Sequence, residues 1–429
     1  MVLLLIGVTP WVKGPMLVAA VSPYVAVCSL LARRGLEAHP VAGLPAWSDG
    51  LLWRAQFIGL AVALVAVFRA RWFCRYGCPV GLLTEPLRRL RPSARSTAAK
   101  LPHFGRWLAL ATVSSAALGY PLLLWLDPLA LFSGAFSVAH DRASWAGWVS
   151  GSILGLIAIS AALWPNAWCL RVCPLGATQE LLGTCGARLR TLGRPKRHLG
   201  ADAATAGRQG DRMGRRSLLA WAGGALAAGA GLLVGWRCRS TAAAIKPQAI
   251  RPPGAAAEDQ FPWLCLRCGN CVRACPEKIL HPDLAPERIV GFLAPIVRFT
   301  SQYCKEDCSR CTEVCPSGAL EALSVEGKST RPIGLAHVDM SLCLLAPENG
   351  ERECAFCRNA CPYEAIRIEF DYQTYVATPR VDPNKCPGCG ACEVACPGTN
   401  ESQSPTGPAA RPLRKAISVV PTARQLLPQ

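Results

Sequence analysis

Cysteines are the residues of this chain with the greatest capacity for chemistry. The 429-residue sequence contains 23 of them, and sixteen lie in four groups that each end in Cys-Pro. Thiolates are soft ligands that bind iron, zinc and copper. Four repeated groups of four thiols therefore predict metal binding. The groups are Cys265, Cys268, Cys271 and Cys275; Cys304, Cys308, Cys311 and Cys315; Cys343, Cys354, Cys357 and Cys361; and Cys386, Cys389, Cys392 and Cys396.

The spacing within the groups indicates the kind of metal centre. The first and fourth groups follow C-x2-C-x2-C-x3-C-P, the second has one extra residue, and the third has a ten-residue gap after Cys343. This run is typical of bacterial ferredoxins, in which three thiolates hold one [4Fe–4S] cluster and the fourth reaches a neighbouring cluster. Structural zinc favours separate C-x2-C pairs, and disulfides have no need of this repeat. The sequence predicts four [4Fe–4S] clusters.

The spacing leaves open which groups share clusters. If the fourth cysteine of each group serves a partner cluster, the first group could pair with the second and the third with the fourth. Equally, the first could pair with the fourth and the second with the third.

A second set of thiols lies in the N-terminal half. Cys74 and Cys78 precede Pro79, and Cys169 and Cys173 precede Pro174, so that C-x3-C-P occurs twice. Both motifs continue with a glycine two residues after the proline, which argues against a chance match. The four thiols could bind one metal or cluster, act as redox-active dithiols, or simply pack. The remaining cysteines, Cys28, Cys185 and Cys238, have no partner motif and are interpreted as small buried apolar residues.

Long apolar stretches must position these motifs. Each stretch approaches the ~20 residues that a bilayer requires, and the mean hydropathy of the chain is +0.24. The sequence therefore predicts an α-helical domain that crosses a lipid bilayer four times, followed by a fifth signal or anchor helix and an α+β polyferredoxin domain. The predicted spans are Met16–Ala32, Leu51–Phe68, Trp107–Leu126, Gly147–Trp164 and, as the fifth, Ser217–Trp236.

The net charge of +18 is confined to the apolar half of the chain. Residues 1–244 contain 26 Lys and Arg against 8 acidic residues, whereas residues 245–429 contain 20 of each. The excess lies mainly in the loops 69–106 and 166–216, and basic loops of membrane proteins stay in the cytoplasm. This pattern indicates membrane orientation and not a nucleic-acid partner. It predicts that everything after the fifth helix lies outside.

The fifth helix begins at a pair of arginines, Arg215 and Arg216, followed by an apolar run. This arrangement resembles a twin-arginine export signal in an internal position, although an ordinary stop-transfer helix would look similar. The predicted domains are a membrane domain (1–200), a basic linker with the signal or anchor helix (201–244), the four-cluster ferredoxin domain (245–400) and a flexible tail (401–429).

The segment from Ile250 to Pro276, with Arg251-Pro252-Pro253-Gly254-Ala255 leading into Cys265-Leu266-Arg267-Cys268-Gly269, resembles the MauM/NapG ferredoxins. This resemblance implies a periplasmic, exported protein with four clusters. It favours pairing of the first cysteine group with the fourth and the second with the third. The N-terminal half resembles membrane iron–sulfur proteins of the NapH/NosR type, but residues 175–214 contain only Cys185 where that type usually has a further ferredoxin segment.

Together these features predict an electron-transfer protein of the bacterial inner membrane. It would pass electrons from the quinol pool to a periplasmic reductase or c-type cytochrome, as a component of a quinol dehydrogenase or as an electron carrier. His39 and His140, on the predicted outer loops, are candidate acceptors for quinol protons, and no Gly-rich motif indicates NAD or flavin. Alternatives are a role in metalloenzyme assembly, maturation or regulation, or a cytoplasmic ferredoxin domain if the fifth helix is not translocated.

Overall fold

A computed structural model describes residues 19, 21–37, 51–90, 102–135, 145–164, 167–192, 215–241, 249–285, 290–347, 353–373, 375–399 and 415–421. The described part of the N-terminal half is helical. Two short irregular elements interrupt it, a 3-10 turn at Leu124–Leu126 and a π-helical turn at Trp168–Val172. The helices are α1 (Pro23–Glu37), α2 (Leu51–Phe68), α3 (Trp72–Tyr76), α4 (Pro79–Leu90), α5 (Phe104–Ala116), α6 (Pro128–Ala135), α7 (Trp145–Leu163), α8 (Pro174–Leu192) and α9 (Arg215–Thr241).

The helices agree with the predicted spans in part. The second, fourth and fifth predicted spans coincide with α2, α7 and α9 within a few residues. The first was placed too early, because α1 begins only at Pro23, where the Ser22 hydroxyl accepts a hydrogen bond from the backbone N–H of Val25. The third was wrong as one continuous helix. Helix α5 ends at Ala116, and Gly119 then adopts a φ of +97°, which turns the chain before Pro121.

The predicted number of complete membrane spans was also wrong. Among the described residues, one helical segment, Leu218–Thr241 in α9, is long and apolar enough to cross a bilayer. Shorter apolar segments lie at Pro23–Ala32, Phe57–Phe68 and Gly147–Leu163.

Helix α9 packs along α5 through small residues. Ser114 donates a hydrogen bond to the carbonyl of Ala228 (3.0 Å), and a Cβ on Gly231 would overlap the carbonyl oxygen of Ala111 and the hydroxyl of Ser114. Close backbone approach through small residues is a common way for apolar helices to associate. Helix α5 in turn contacts α1 and α8, so α9 is held against the helical core.

In its described residues, the cysteine-rich half consists of short helices and three two-stranded antiparallel sheets, β1–β2, β3–β6 and β4–β5. The helices are α10 (Phe261–Leu264), α11 (Asn270–Ala274), α12 (Arg310–Glu313), α13 (Val325–Thr330), α14 (Phe356–Asn359) and α15 (Ala391–Ala395). The strands are β1 (Leu280–Pro282), β2 (Pro295–Val297), β3 (Leu335–Val338), β4 (Ile366–Asp371), β5 (Val376–Val381) and β6 (Ile417–Val420).

Strand β6 corrects the predicted end of the ferredoxin domain. It lies in the segment assigned to a flexible tail, yet Leu335 pairs with Val420 and Val338 with Ile417. Ile417 and Val419 are buried. Alternating apolar residues in this short strand bury one face against the cysteine-rich core, so the domain extends at least to residue 420.

The two halves are in direct contact. Arg273 of α11 donates a hydrogen bond to the carbonyl of Ser133 (2.8 Å), and the Ser133 hydroxyl donates to the carbonyl of Cys268 (3.3 Å). Tyr120 donates to the carboxylate of Asp259 (2.9 Å). The first cysteine group therefore lies against the end of α6.

Asp127 is a fully buried acid at the start of α6. Its carboxylate accepts hydrogen bonds from the Ser22 hydroxyl (3.0 Å) and from the backbone N–H of Ala130 (3.3 Å). Burial raises the pKa of Asp127 from 3.8 to about 7. None of its hydrogen-bond donors carries a positive charge, so ionisation is costly.

Asp127→Asn is expected to remove a pH-dependent loss of stability. Because the pKa is raised in the folded state, the folded protein holds an extra proton between pH 4 and 7, and stability falls as pH rises through this window. A shift from 3.8 to about 7 corresponds to roughly 4 kcal/mol. Thermal unfolding of the two proteins at pH 5 and 8 checks this. An equal drop in both proteins would contradict it.

Candidate iron–sulfur centres

The sixteen cysteines of the C-terminal half come together as four sets of four. Two sets line cavities, and the other two are identified by mutual electrostatic interaction of their thiols. We call them site 1 (Cys265, Cys268, Cys271, Cys315), site 2 (Cys275, Cys304, Cys308, Cys311), site 3 (Cys343, Cys354, Cys357, Cys396) and site 4 (Cys361, Cys386, Cys389, Cys392).

This grouping decides the question of pairing. Site 1 takes three thiols from the first group and Cys315 from the second, while site 2 takes three from the second and Cys275 from the first. Sites 3 and 4 exchange Cys361 and Cys396 in the same manner. The arrangement favoured by the resemblance, the first group with the fourth, was therefore wrong. The groups pair with their neighbours in the sequence.

Short helices bring about this exchange. In the first group, α11 carries Cys271 near its start and is followed at once by Cys275, so that the two thiols are directed to different sites. Cys357 and Cys361 are related in the same way by α14, and Cys392 and Cys396 by α15. The C-x3-C-P spacing thus links two neighbouring sites by one helical turn.

The surroundings of the sulfurs suit thiolates that hold a [4Fe–4S] cluster. Backbone N–H groups point at them, as from Arg267 to Cys265 (3.4 Å), from Leu320 to Cys315 (3.3 Å) and from Ala365 to Cys361 (3.4 Å). Hydrogen bonds to the sulfurs stabilise the negative charge of such clusters and set their potentials. In the described part of the chain, no group of three or more His, Cys, Asp or Glu is arranged for a single metal ion.

Burial favours the protonated, neutral form of these thiols when no metal is bound. It raises the pKa of Cys268 to about 12 and that of Cys357 to about 11. Neutral thiols at pH 7 lose their protons only when a metal compensates the charge. The sites therefore favour a cationic metal core over free thiolates.

The four sites are connected in series. Site 1 contacts α6 of the N-terminal half through Ser133. Sites 2 and 4 meet where the backbone N–H of Cys304 donates to the carbonyl of Cys389 (2.9 Å). The order is therefore site 1, site 2, site 4, site 3. Site 3 lies at the far end, beside the exposed ring of Phe356.

The two C-x3-C-P motifs also meet in the structure. Cys74 interacts with Cys169, and Cys173 with Cys74, Cys78 and Cys169. We call these four residues the N-terminal thiol site. Arg71 lies beside it, where it donates to the carbonyl of Cys169 (3.1 Å) and pairs with Glu180 (2.7 Å).

The glycines of the two motifs allow close approach of the backbone at the N-terminal thiol site. A Cβ on Gly81 would lie 2.7 Å from the carbonyl oxygen of Cys74, and one on Gly176 would lie 3.0 Å from that of Cys169. A Cβ on Gly176 would also lie 3.8 Å from the Cys74 sulfur. The two motifs therefore repeat in space as well as in sequence.

Some predicted residues lie outside the described part of the chain, and some contacting residues were missed. His39 and His140 are among the former. Sequence reasoning missed Thr84 and Gln179, which approach the N-terminal thiol site. Each lies six residues after the second cysteine of its motif. This equal spacing from the two motifs is the feature of the sequence that could have identified both residues.

Comparison with protein families places both halves among iron–sulfur proteins. The 4Fe-4S dicluster domain family matches residues 264–344 and 352–400. A second family, described as a 4Fe-4S binding domain, matches residues 51–97 and 146–198, which include both C-x3-C-P motifs. The finer resemblance of the N-terminal half to NapH and NosR stays a prediction.

Similar curated proteins match the C-terminal half. The methylamine utilization ferredoxin-type protein MauM of Methylorubrum extorquens is 33% identical over 196 residues, covering 42% of this chain and 84% of MauM. The ferredoxin-type protein NapG of Escherichia coli is 38% identical over 156 residues, covering 34% of this chain and 65% of NapG. NapF of the same organism is 30% identical over 168 residues, covering 39% of this chain and 88% of NapF.

No solved structure matches the chain at a significant level. The matches extend beyond the cysteine motifs, since MauM is covered over most of its length. The spacing of the four groups, their assembly into four sites and these similarities agree with one another. The chain belongs to the family of ferredoxin-type [4Fe–4S] electron-transfer proteins that includes MauM and NapG.

Proposed function

We propose that this protein is a membrane-anchored electron-transfer protein that takes electrons from quinol and delivers them to a periplasmic reductase or c-type cytochrome. The observation that carries the proposal is the series of four neighbouring thiol sites, of which site 1 contacts the N-terminal half. A [4Fe–4S] cluster takes up and releases single electrons. A chain of adjacent sites therefore suits transfer between a donor and an acceptor that do not meet.

Specific contacts connect the N-terminal half to site 1 and join successive sites to one another. Arg273 and Ser133 hold site 1 against α6. The backbone contact between Cys304 and Cys389 joins the two pairs of sites. Cys304, Cys311 and Cys389 belong to one hydrophobic core, so sites 2 and 4 share apolar surroundings.

Exposed apolar side chains support anchoring in a membrane. Large residues of α9 point outward, among them Leu226 (74% exposed) and Leu233 (64%), and the faces of α2 and α7 expose Leu64 and Leu156. Helix α9 has 27 residues and is therefore about 40 Å long. Such a surface suits lipid better than water.

The charge distribution supports an external ferredoxin domain. Arg215 and Arg216 begin α9 at the end where Gly223 meets Trp107, close to the N-terminal thiol site. The ferredoxin domain lies at the opposite end, where Tyr120 contacts Asp259. With the basic end in the cytoplasm, the four thiol sites would face the periplasm of the inner membrane.

Reduction by quinol tests the proposal. The full-length protein, purified anaerobically in detergent, is mixed with a reduced short-chain quinol and followed by EPR. We expect cluster signals to appear with quinol alone. Signals that appear only with dithionite would contradict the proposal and favour a role in metalloenzyme assembly, maturation or regulation.

A further inference from the structure

Polar groups of both motifs lie beside the sulfurs of the N-terminal thiol site. The backbone N–H groups of Gly81 and Gly176 lie beside Cys78 and Cys173, the second cysteines of the two motifs. Both glycines lie in the first turn of a helix, α4 or α8, that begins directly after its cysteine. Two helix N-termini thus face the site from two sides, which favours negative charge on the sulfurs.

The first cysteines receive side-chain donors, and these are exchanged between the motifs. Gln179, from the second motif, donates from Nε2 to the Cys74 sulfur of the first motif at 3.1 Å. Thr84, from the first motif, lies beside Cys169 of the second. Its hydroxyl is also 3.1 Å from the carbonyl of Gly81, so its single hydrogen can serve either acceptor.

A second feature of Gln179 indicates that it belongs to a binding site. The side chain is fully buried, and its Oε1 has no hydrogen-bond partner. A buried unpaired carbonyl oxygen costs ~1–3 kcal/mol. An apolar residue would avoid this cost, so the amide is best explained by its contact with sulfur.

From this crossed arrangement we propose that the two C-x3-C-P motifs hold one shared iron–sulfur centre, and that Gln179 and Thr84 are positioning residues that raise its reduction potential. Hydrogen bonds to ligand sulfurs favour the more negative, one-electron-reduced form. Two separate dithiols would need no donor from the opposite motif. The inference deepens the proposed function by adding a fifth redox site in the N-terminal half, and its test does not depend on quinol.

The shared centre is tested by iron content and EPR of the anaerobically purified full-length protein. Cys74→Ala and Cys169→Ala should each remove the same signal and about four irons per chain, and the double variant should remove no more. Undiminished iron in both single variants, or additive losses in the double variant, would overturn the shared centre. The signals of the ferredoxin sites report on folding in every variant.

The donors are tested by redox titration with dithionite and mediators. Gln179→Met and Thr84→Val should each lower the midpoint potential of this one signal, and together lower it further, with iron content unchanged. Thr84→Ser keeps the hydroxyl and should keep the potential. Thr178→Val is the matched control, because Thr178 donates to the carbonyl of Pro174 on the same helix. Unshifted potentials in both donor variants would overturn the assignment, even if quinol reduces the protein.

Discussion

Cys315→Ala is expected to remove the cluster of site 1, although Cys315 belongs to the second cysteine group. In the structure its thiol lines the same cavity as Cys265, Cys268 and Cys271. Loss of one ligand should reduce the iron content by up to about four atoms per chain and remove one EPR signal. Because site 1 is the site that contacts α6, electron entry from the N-terminal half should be lost as well.

Double variants test the exchange of ligands. Cys315→Ala combined with Cys268→Ala should lose no more iron than either single variant, because both thiols belong to site 1. Cys315→Ala combined with Cys308→Ala should lose about twice as much, since two sites are affected. If the first double variant instead lost about twice as much iron and the second lost no more than a single variant, each cysteine group would hold its own cluster. Cys185 lies outside the motifs and is exposed, not buried as the sequence predicted, so Cys185→Ala should leave iron and signals unchanged.

Gly231→Leu is expected to separate α9 from α5. No side chain fits at this position, because its Cβ would overlap the carbonyl oxygen of Ala111 and the hydroxyl of Ser114. Overpacking of this kind costs ~1–3 kcal/mol or more, and it would also break the hydrogen bond from Ser114 to Ala228. We expect faster proteolysis between α9 and the ferredoxin domain and a lower midpoint of thermal unfolding.

Gly229→Leu provides the matched control. Gly229 lies two residues away on the same helix, and a Cβ there would meet nothing within 4 Å. Both substitutions add the same apolar side chain and the same helix propensity, so a difference between them reports packing alone. Equal behaviour of the two variants would show that α9 does not depend on this contact with α5.

The sequence predicted most of the secondary structure around the functional groups. Helices α2, α7 and α9 were recognisable because their apolar runs are long and uninterrupted. Helix α5 was overestimated because apolar residues continue past Ala116, while the turn at Gly119 depends on a single positive φ. Strand β6 was missed because four residues in a Ser/Pro/Ala-rich tail carry little periodicity of their own, and pairing with β3 defines them.

What the sequence determined by itself was the chemistry: sixteen thiols with ferredoxin spacing, a duplicated C-x3-C-P motif and a charge asymmetry. These are local properties of residue type and spacing, which can be recognised without knowledge of the fold. Only the tertiary structure decided which thiols share a site, how Gln179 and Thr84 cross between the two motifs, and that site 1 lies against α6. The reason is physical, because a thiol's partners depend on how distant segments pack, and many arrangements are compatible with the same local spacing.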